Sequence, residues 1–230
     1  MVGGGYNYSC AIRETGELAC WGDNGGGQAS PPAGSYATMA VGVGHACALS
    51  SDDDPVCWGA NGEGQASPPA GLQLRALSAG EYHTCGIRTD DTLVCWGADW
   101  DGRSSPPTGT FAEVSSGWDH SCALRTDQTI ACWGSNLDGQ ASPPSGQFSF
   151  LASGGHFTCA LDAAGAAQCW GANWSGQATP IPGDYVAVAP GLNHTCALDT
   201  AGVVSCWGSN SYGQSMPTGC AAPAPLLEGG

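Results

Sequence analysis

The sequence predicts an all-β fold: a β-propeller of six blades, each of three to four short antiparallel strands with one intra-repeat disulfide. Three observations carry this. The tripeptide Cys-Trp-Gly recurs six times, at steps of 37 or 38 residues. A second cysteine stands ten residues before each recurrence. Turn formers punctuate the whole chain, with 37 Gly and 15 Pro in 230 residues. Without a period that composition points to disorder; with one it points to short strands joined by turns.

The repeat divides residues 1–219 into units 1–34, 35–71, 72–109, 110–146, 147–183 and 184–219, read as one domain. The last unit shows every part. An apolar segment from Asp184 to Ala189 leads through Pro190-Gly191-Leu192-Asn193 into His194-Thr195-Cys196-Ala197-Leu198. A turn at Asp199-Thr200-Ala201-Gly202 follows, then Val203-Val204-Ser205-Cys206-Trp207-Gly208. Two five-residue runs around a Gly-containing turn read as a hairpin, and the apolar segment reads as a third strand. No stretch keeps a 3.6-residue period. Both faces of these strands are apolar, as expected of small sheets stacked radially around an axis; a linear β-solenoid is the competing geometry. Copy one lacks most of its leading segment, so the tail, 220–230, is expected to supply a closing strand to the blade begun at residue 1.

Pairing Leu198 with Val204 across the turn sets Cys196 opposite Cys206, within disulfide reach of about 4.5–5.5 Å between Cα atoms. The same register pairs Cys10 with Cys20, Cys47 with Cys57, Cys85 with Cys95, Cys122 with Cys132 and Cys159 with Cys169. Free buried thiols are an alternative, and so is metal ligation, although the close Cys-x2-Cys pair of zinc sites is missing. Six bridges imply an oxidising compartment and an extracellular or cell-surface location. The first five residues lack the charged and apolar regions of a leader. Cys220 is left over, as a free thiol or a handle for self-assembly.

Charge excludes several functions. Twenty acidic residues face five Arg and no Lys, for a net charge of −15. Such a surface repels nucleic acid and anionic lipid, and no apolar run approaches the roughly 20 residues of a membrane span. There is no cofactor fingerprint, metal triad or Ser-His-Asp set outside recurring positions, so neither a cofactor nor an enzymatic activity is expected.

The unit Gly-x-x-His-x-Cys-Ala-Leu, turn, Cys-Trp-Gly-x-Asn-x-x-Gly-Gln resembles the repeat of the regulator-of-chromosome-condensation family, over about residues 1–219. The resemblance implies a β-propeller, typically of seven blades. The short unit is most similar to a compact bacterial branch that includes a secreted propeller inhibiting β-lactamases through one face of the disc. The longer eukaryotic branch exchanges nucleotide on a small GTPase and docks on chromatin. Six repeats, cysteine pairs and an acidic surface depart from both patterns, and the last two argue against the chromatin and GTPase roles.

His45, His83, His120 and His194 share one position, which Tyr8 and Phe157 also occupy, so it reads as a packing site rather than a catalytic base. The tryptophans of Cys-Trp-Gly read as core between blades. The Asn and Gln of the closing loop read as bonding the turn itself; in copy three they become Asp99 and Arg103, a candidate ion pair. Asp52-Asp53-Asp54 reads as a solvated turn, with Ca²⁺ as the alternative. Asn7, Asn173 and Asn193 head sequons.

Recognition is expected where the copies differ, in loops that the resemblance places on one face of the disc. There copies three to six offer Tyr82, Trp100, Asp101, Trp118, Asp119, Leu137, Trp174 and Tyr212. Aromatics beside acids have the composition of a binding hot spot; packing on neighbouring loops is the plainer reading. The expected function is a secreted scaffold for a protein partner with a basic patch, with inhibition of an extracellular enzyme as one form. The alternative is a structural subunit of an extracellular assembly or fibre.

Overall fold

The computed structural model describes residues 1–217, and the expected tail strand and Cys220 lie outside them. Six separate three-stranded antiparallel sheets follow one another in chain order. The first is β1 (Val2–Gly4), β2 (Tyr8–Ile12) and β3 (Leu18–Gly22), and the second β4 (Tyr36–Val41), β5 (His45–Ser50) and β6 (Pro55–Gly59). The third is β7 (Leu74–Ala79), β8 (His83–Arg88) and β9 (Leu93–Gly97), and the fourth β10 (Phe111–Ser116), β11 (His120–Arg125) and β12 (Ile130–Gly134). The fifth is β13 (Phe150–Ser153), β14 (Phe157–Leu161) and β15 (Ala167–Gly171), and the sixth β16 (Tyr185–Pro190), β17 (His194–Asp199) and β18 (Val204–Gly208). Each sheet is one blade, and the leading strand of the first is Val2–Gly4, paired with Ser9–Ala11.

All six cysteine pairs lie opposite each other in the hairpin register, for example Cys122↔Cys132. All six are bonded, with Cα atoms 4.0–4.1 Å apart. The hairpin turn needs one residue with positive φ. Gly16, Gly165 and Gly202 fill it in blades one, five and six, and Asp53, Asp91 and Gln128 in the others. The Asp52–Asp54 run is therefore a turn, tied by the Asp52 and Asp54 amides to Ser50 Oγ. The Gly of Cys-Trp-Gly has a different reason. Gly134 has φ of 94°, and a Cβ there would stand 2.7 Å from the Asp119 carbonyl.

The core is divided into five clusters, each lying between consecutive blades. In the cluster between blades three and four, Cys85, Ile87 and Leu93 pack against Phe111, Val114, Ala123 and Trp133. Polar bonds cross each junction in a fixed pattern. Trp58, Trp96, Trp133, Trp170 and Trp207 donate their indole N–H to the carbonyl of Gln28, Gln65, Arg103, Gln140 and Gln177 on the preceding blade, at 2.9–3.0 Å. In the other direction the buried rings of His45, His83 and His120 bond the hydroxyls of Thr84, Ser121 and Thr158, each at 2.8 Å. Thr84 gives its single proton to the Gln65 carbonyl, so His45 must donate from Nε2 and is neutral at Nδ1. Tyr8 does the same work from the first blade, its one O–H donating to the carbonyl of His45, with the Gly42 carbonyl also in reach at 3.1 Å.

The sixth and first blades form no such junction among the described residues. Trp21 is 53% exposed, whereas Trp58, Trp96, Trp133 and Trp207 are 6–8% exposed. Leu198 is 37% exposed, against 0–6% for Leu49, Ile87, Leu124 and Leu161 at the same position. A Cβ on Gly42, Gly80, Gly117 or Gly154 would meet the matching carbonyl of the next blade at 2.4–2.6 Å, while on Gly191 it would meet only the His194 ring. The reading of every motif tryptophan as core thus fails at Trp21, because a motif residue is core only where a neighbouring blade covers it. Trp133→Ala should cost about 3–5 kcal/mol, the range for deleting a buried Trp. Trp21→Ala should change stability by less than about 1 kcal/mol, a contrast readable from denaturant midpoints.

Candidate functional site

The loops before each His and those after each Cys-Trp-Gly emerge on one face, around the mouth of a central channel. The channel has a volume of ≈ 420 Å³ and is lined by the leading strands of all six blades, with Tyr6, Val43, Trp118 and Leu192 at the loop end. Backbone bonds link the loops side by side: Tyr6 N to Val43 O, Val43 N to Gly80 O, Glu81 N to Trp118 O, Trp118 N to Gly155 O and Gly155 N to Gly191 O.

The closing loops are held by their own amides. Gln65, Gln140 and Gln177 each accept the amide two residues earlier through Oε1, at 2.8–2.9 Å. Asn61, Asn136 and Asn173 each accept the amide five residues later. These bonds fix the backbone, so the two residues between Asn and Gly point outward. In blade three Asp99 takes the Asn role, accepting from Ser104 N and Ser105 Oγ. The expected Asp99–Arg103 pair does not form. Arg103 instead reaches Asp101 at 3.5 Å and stacks 5.3 Å over Trp100.

Two aromatic groups result. Tyr82 meets Trp100 edge to face at 5.5 Å on blade three, where Trp100–Gly102 form a single 3₁₀ turn. The second group crosses the channel mouth. Tyr6 of blade one lies 6.5 Å from Trp118 of blade four, Trp118 lies 5.3 Å from His156 of blade five, and His156 lies 6.0 Å from Trp174. Asp119 sits beneath this group, with Oδ1 3.1 Å from His156 Nδ1. Burial is the largest influence on Asp119 and opposes its ionisation, but His156 beside it, together with the charges of Arg103 and His120, outweighs burial and holds the carboxyl below its usual range. The neighbouring Asp119 carboxylate raises His156 above its ordinary value, against burial. Trp100 and Trp174 are exposed, and Trp118 is half-buried. Leu137 and Tyr212 stand almost wholly exposed at loop tips and join neither group.

Sequence reasoning missed Tyr6 and His156. His156 carries a signal, since it stands one place before Phe157, in the variable loop rather than the buried position. Tyr6 belongs to a copy whose second loop is mostly Gly, and only the ring places it near blade four. Among the described residues no three His, Cys, Asp or Glu side chains are grouped to hold a metal, and no helix is long and apolar enough to cross a membrane.

Radial sheets of one repeated sequence, locked by Trp-to-carbonyl bonds and presenting variable loops on one face, define a repeat-built propeller scaffold. Residues 2–28, 37–65, 75–102, 111–140 and 185–214 match the Regulator of chromosome condensation (RCC1) repeat, and the chain belongs to that family. The unmatched blade is the one with Phe157 in the His position. The entire ectodomain of the Physcomitrella patens receptor kinase CR4 is similar, with a TM-score of 0.78 and 27% identity over 90% of this chain. The chain spans 60% of that ectodomain's length. The CRINKLY WD40 ectodomain of the Arabidopsis thaliana receptor kinase ACR4 has a TM-score of 0.73 at 23% identity, covering 88% of this chain and 77% of its own. Human WBSCR16 has a TM-score of 0.76 at 17% identity, covering 91% and 76%. The last two share the fold alone. No curated protein matches the chain in sequence.

Proposed function

We propose that this protein is an extracellular binding scaffold that captures a protein partner with a basic patch through its loop face. The observation that carries the reading is the aromatic run Tyr6–Trp118–His156–Trp174 across the channel mouth, with Tyr82 and Trp100 beside it. Exposed Trp leaves apolar area in water, and a partner that covers it recovers roughly 25 cal/mol per Å² before association costs. Asp101, Asp119 and a net charge of −15 favour a cationic partner and faster association at low salt. Six disulfides support an oxidising setting, as does the likeness to a receptor-kinase ectodomain. A partner held across the face could be an enzyme whose active site is thereby blocked, so inhibition is part of the proposal.

The test is cross-linking capture from extracellular medium, comparing the protein with its Trp100→Ala, Trp118→Ala, Trp174→Ala triple variant. The partner should be retained by the first and lost by the second, with unchanged melting temperature. Each single Trp→Ala should weaken binding by about 2 kcal/mol. Retention by the triple variant, or melting losses like that of Trp133→Ala, would make these tryptophans scaffold. The blade faces around Trp21 and Leu198, which no neighbouring blade covers among the described residues, favour the structural-subunit reading as a second one, and light scattering over a concentration series separates the two.

A further inference from the structure

Blade three shows how this face holds a cation. The Arg103 guanidinium lies 5.3 Å over the Trp100 ring and 3.5 Å from the Asp101 carboxylate. Aromatic face plus carboxylate is the arrangement that best holds a weakly hydrated planar cation. Across the channel mouth the same components recur without an arginine. Trp118 and Trp174 supply the rings and Asp119 the carboxylate. The position between them is taken by His156, 5.3 Å and 6.0 Å from the two rings and 3.1 Å from Asp119. Imidazole is a weaker cation than guanidinium and can make at most one bond to the carboxylate where a guanidinium makes two. Here Asp119 Oδ1 is buried without a hydrogen-bond partner among the described residues, His156 standing only in ion-pair contact. Of the five arginines, Arg103 serves blade three, Arg13 pairs with Glu17, Arg75 with Asp91, Arg88 bonds Thr92 and Leu93, and Arg125 lies over Phe111. None is placed to fill the second seat.

We propose that Trp118, Trp174 and Asp119 form a seat for an arginine side chain of the partner, with His156 as the internal side chain that it displaces. This deepens the loop-face reading and rests on it. On binding, the guanidinium takes the Asp119 carboxylate bidentately and lies on an indole face, as Arg103 does on Trp100. His156 gives up Asp119 and turns toward solvent. Tyr6, edge-on to Trp118 at 6.5 Å, closes the far side of the seat. Seat-filling by arginine explains why blade five carries a polar ring one position before Phe157, where it can stand in for a cation without occupying the core.

The test uses the full chain and three small probes, N-acetyl-arginine amide, N-acetyl-lysine amide and N-acetyl-citrulline amide, the last a neutral isostere of the first. Tryptophan fluorescence or NMR titration reads the affinity. Arginine should bind at least threefold more tightly than lysine, and citrulline at least tenfold more weakly than arginine. Asp119→Asn and Trp174→Ala should each weaken the arginine probe about tenfold. His156→Ala should tighten it, because the internal occupant is gone, and His156→Arg should abolish it by filling the seat, with melting temperature unchanged in both. Equal binding of citrulline, or arginine binding that survives Asp119→Asn, overturns the seat. If the triple Trp variant loses the captured partner while Asp119→Asn and His156→Arg keep it, the loop-face reading stands and the arginine seat falls.

Discussion

Reduction of the six disulfides is expected to unfold the protein at ambient temperature, or to lower its melting temperature by roughly 20 °C or more. Each bridge closes a hairpin with a sequence separation of 10. On the chain-entropy account a loop of that size is worth about 2–3 kcal/mol. Six of them together match or exceed the 5–15 kcal/mol by which a domain is ordinarily stable. The blades have little else to hold them singly, since each is three strands of three to six residues with its core shared between neighbours. Circular dichroism with and without reductant, with free thiols counted, measures the effect. An unchanged transition after complete reduction would show that packing between blades is sufficient.

Acidification below pH 6.5 should be the second large effect. His45, His83 and His120 are held neutral by burial, which lowers them to about 4, 3 and 4, with Arg103 adding to the effect at His83. Their Nδ1 atoms have no partner among the described residues, so a second proton would be buried without an acceptor. In the unfolded chain the same residues titrate near 6.5. Their contribution is therefore complete above pH 6.5 and is lost as pH falls toward the folded values. Glu113 works the other way. Burial raises it to about 7 despite the Leu151 amide it accepts at 3.1 Å. Its contribution is present below its unfolded value near 4.5 and is lost as pH rises through 7. Near pH 5.5 three histidines against one glutamate leave the unfolded chain with about two more protons, a slope of ~3 kcal/mol per pH unit. Urea denaturation at half-unit steps reads it. His120→Gln should flatten the slope by about one proton, and Glu113→Gln should steepen it; a flat profile from pH 7 to 5 contradicts neutral burial of the histidines.

The parts of the fold set by short-range pattern were open to reading in the chain itself. Six repeats, three strands in each and the Cys196–Cys206 register all follow from local periodicity and turn chemistry. The uncovered face at Trp21 does not. Trp21 and Trp133 sit in the same Cys-Trp-Gly, and what separates them is whether another blade stands alongside. That depends on the angle accumulated over five junctions, which no local motif encodes. The candidate site divides in the same way. Trp118, Asp119 and Trp174 stood out because they vary between copies. The partnership of Tyr6 with Trp118 did not, since it joins blades three apart in the chain that meet only across the ring. Asp99 and Arg103 misled for a smaller reason: both replaced amides at once, and the turn geometry kept Asp99 on the backbone while freeing Arg103 for Trp100.

The placement of the bridges gives the molecule a direction. In the first five blades one cysteine of each pair, Cys10, Cys47, Cys85, Cys122 and Cys159, has no exposed surface, because the following blade lies over it. In the sixth both Cys196 and Cys206 are partly exposed. Cys20, Cys57, Cys95, Cys132 and Cys169 are partly exposed as well, so each earlier bridge presents one accessible cysteine and the sixth presents two. Thiol exchange depends on access as well as on thiolate chemistry, which favours attack at the sixth blade. Once that blade loosens, the lid over Cys159 is gone, and the fifth bridge presents both of its cysteines in turn. Dismantling would then run preferentially as a fuse burns, from the last repeat to the first, with every intact blade covering one of the two cysteines of the one before it.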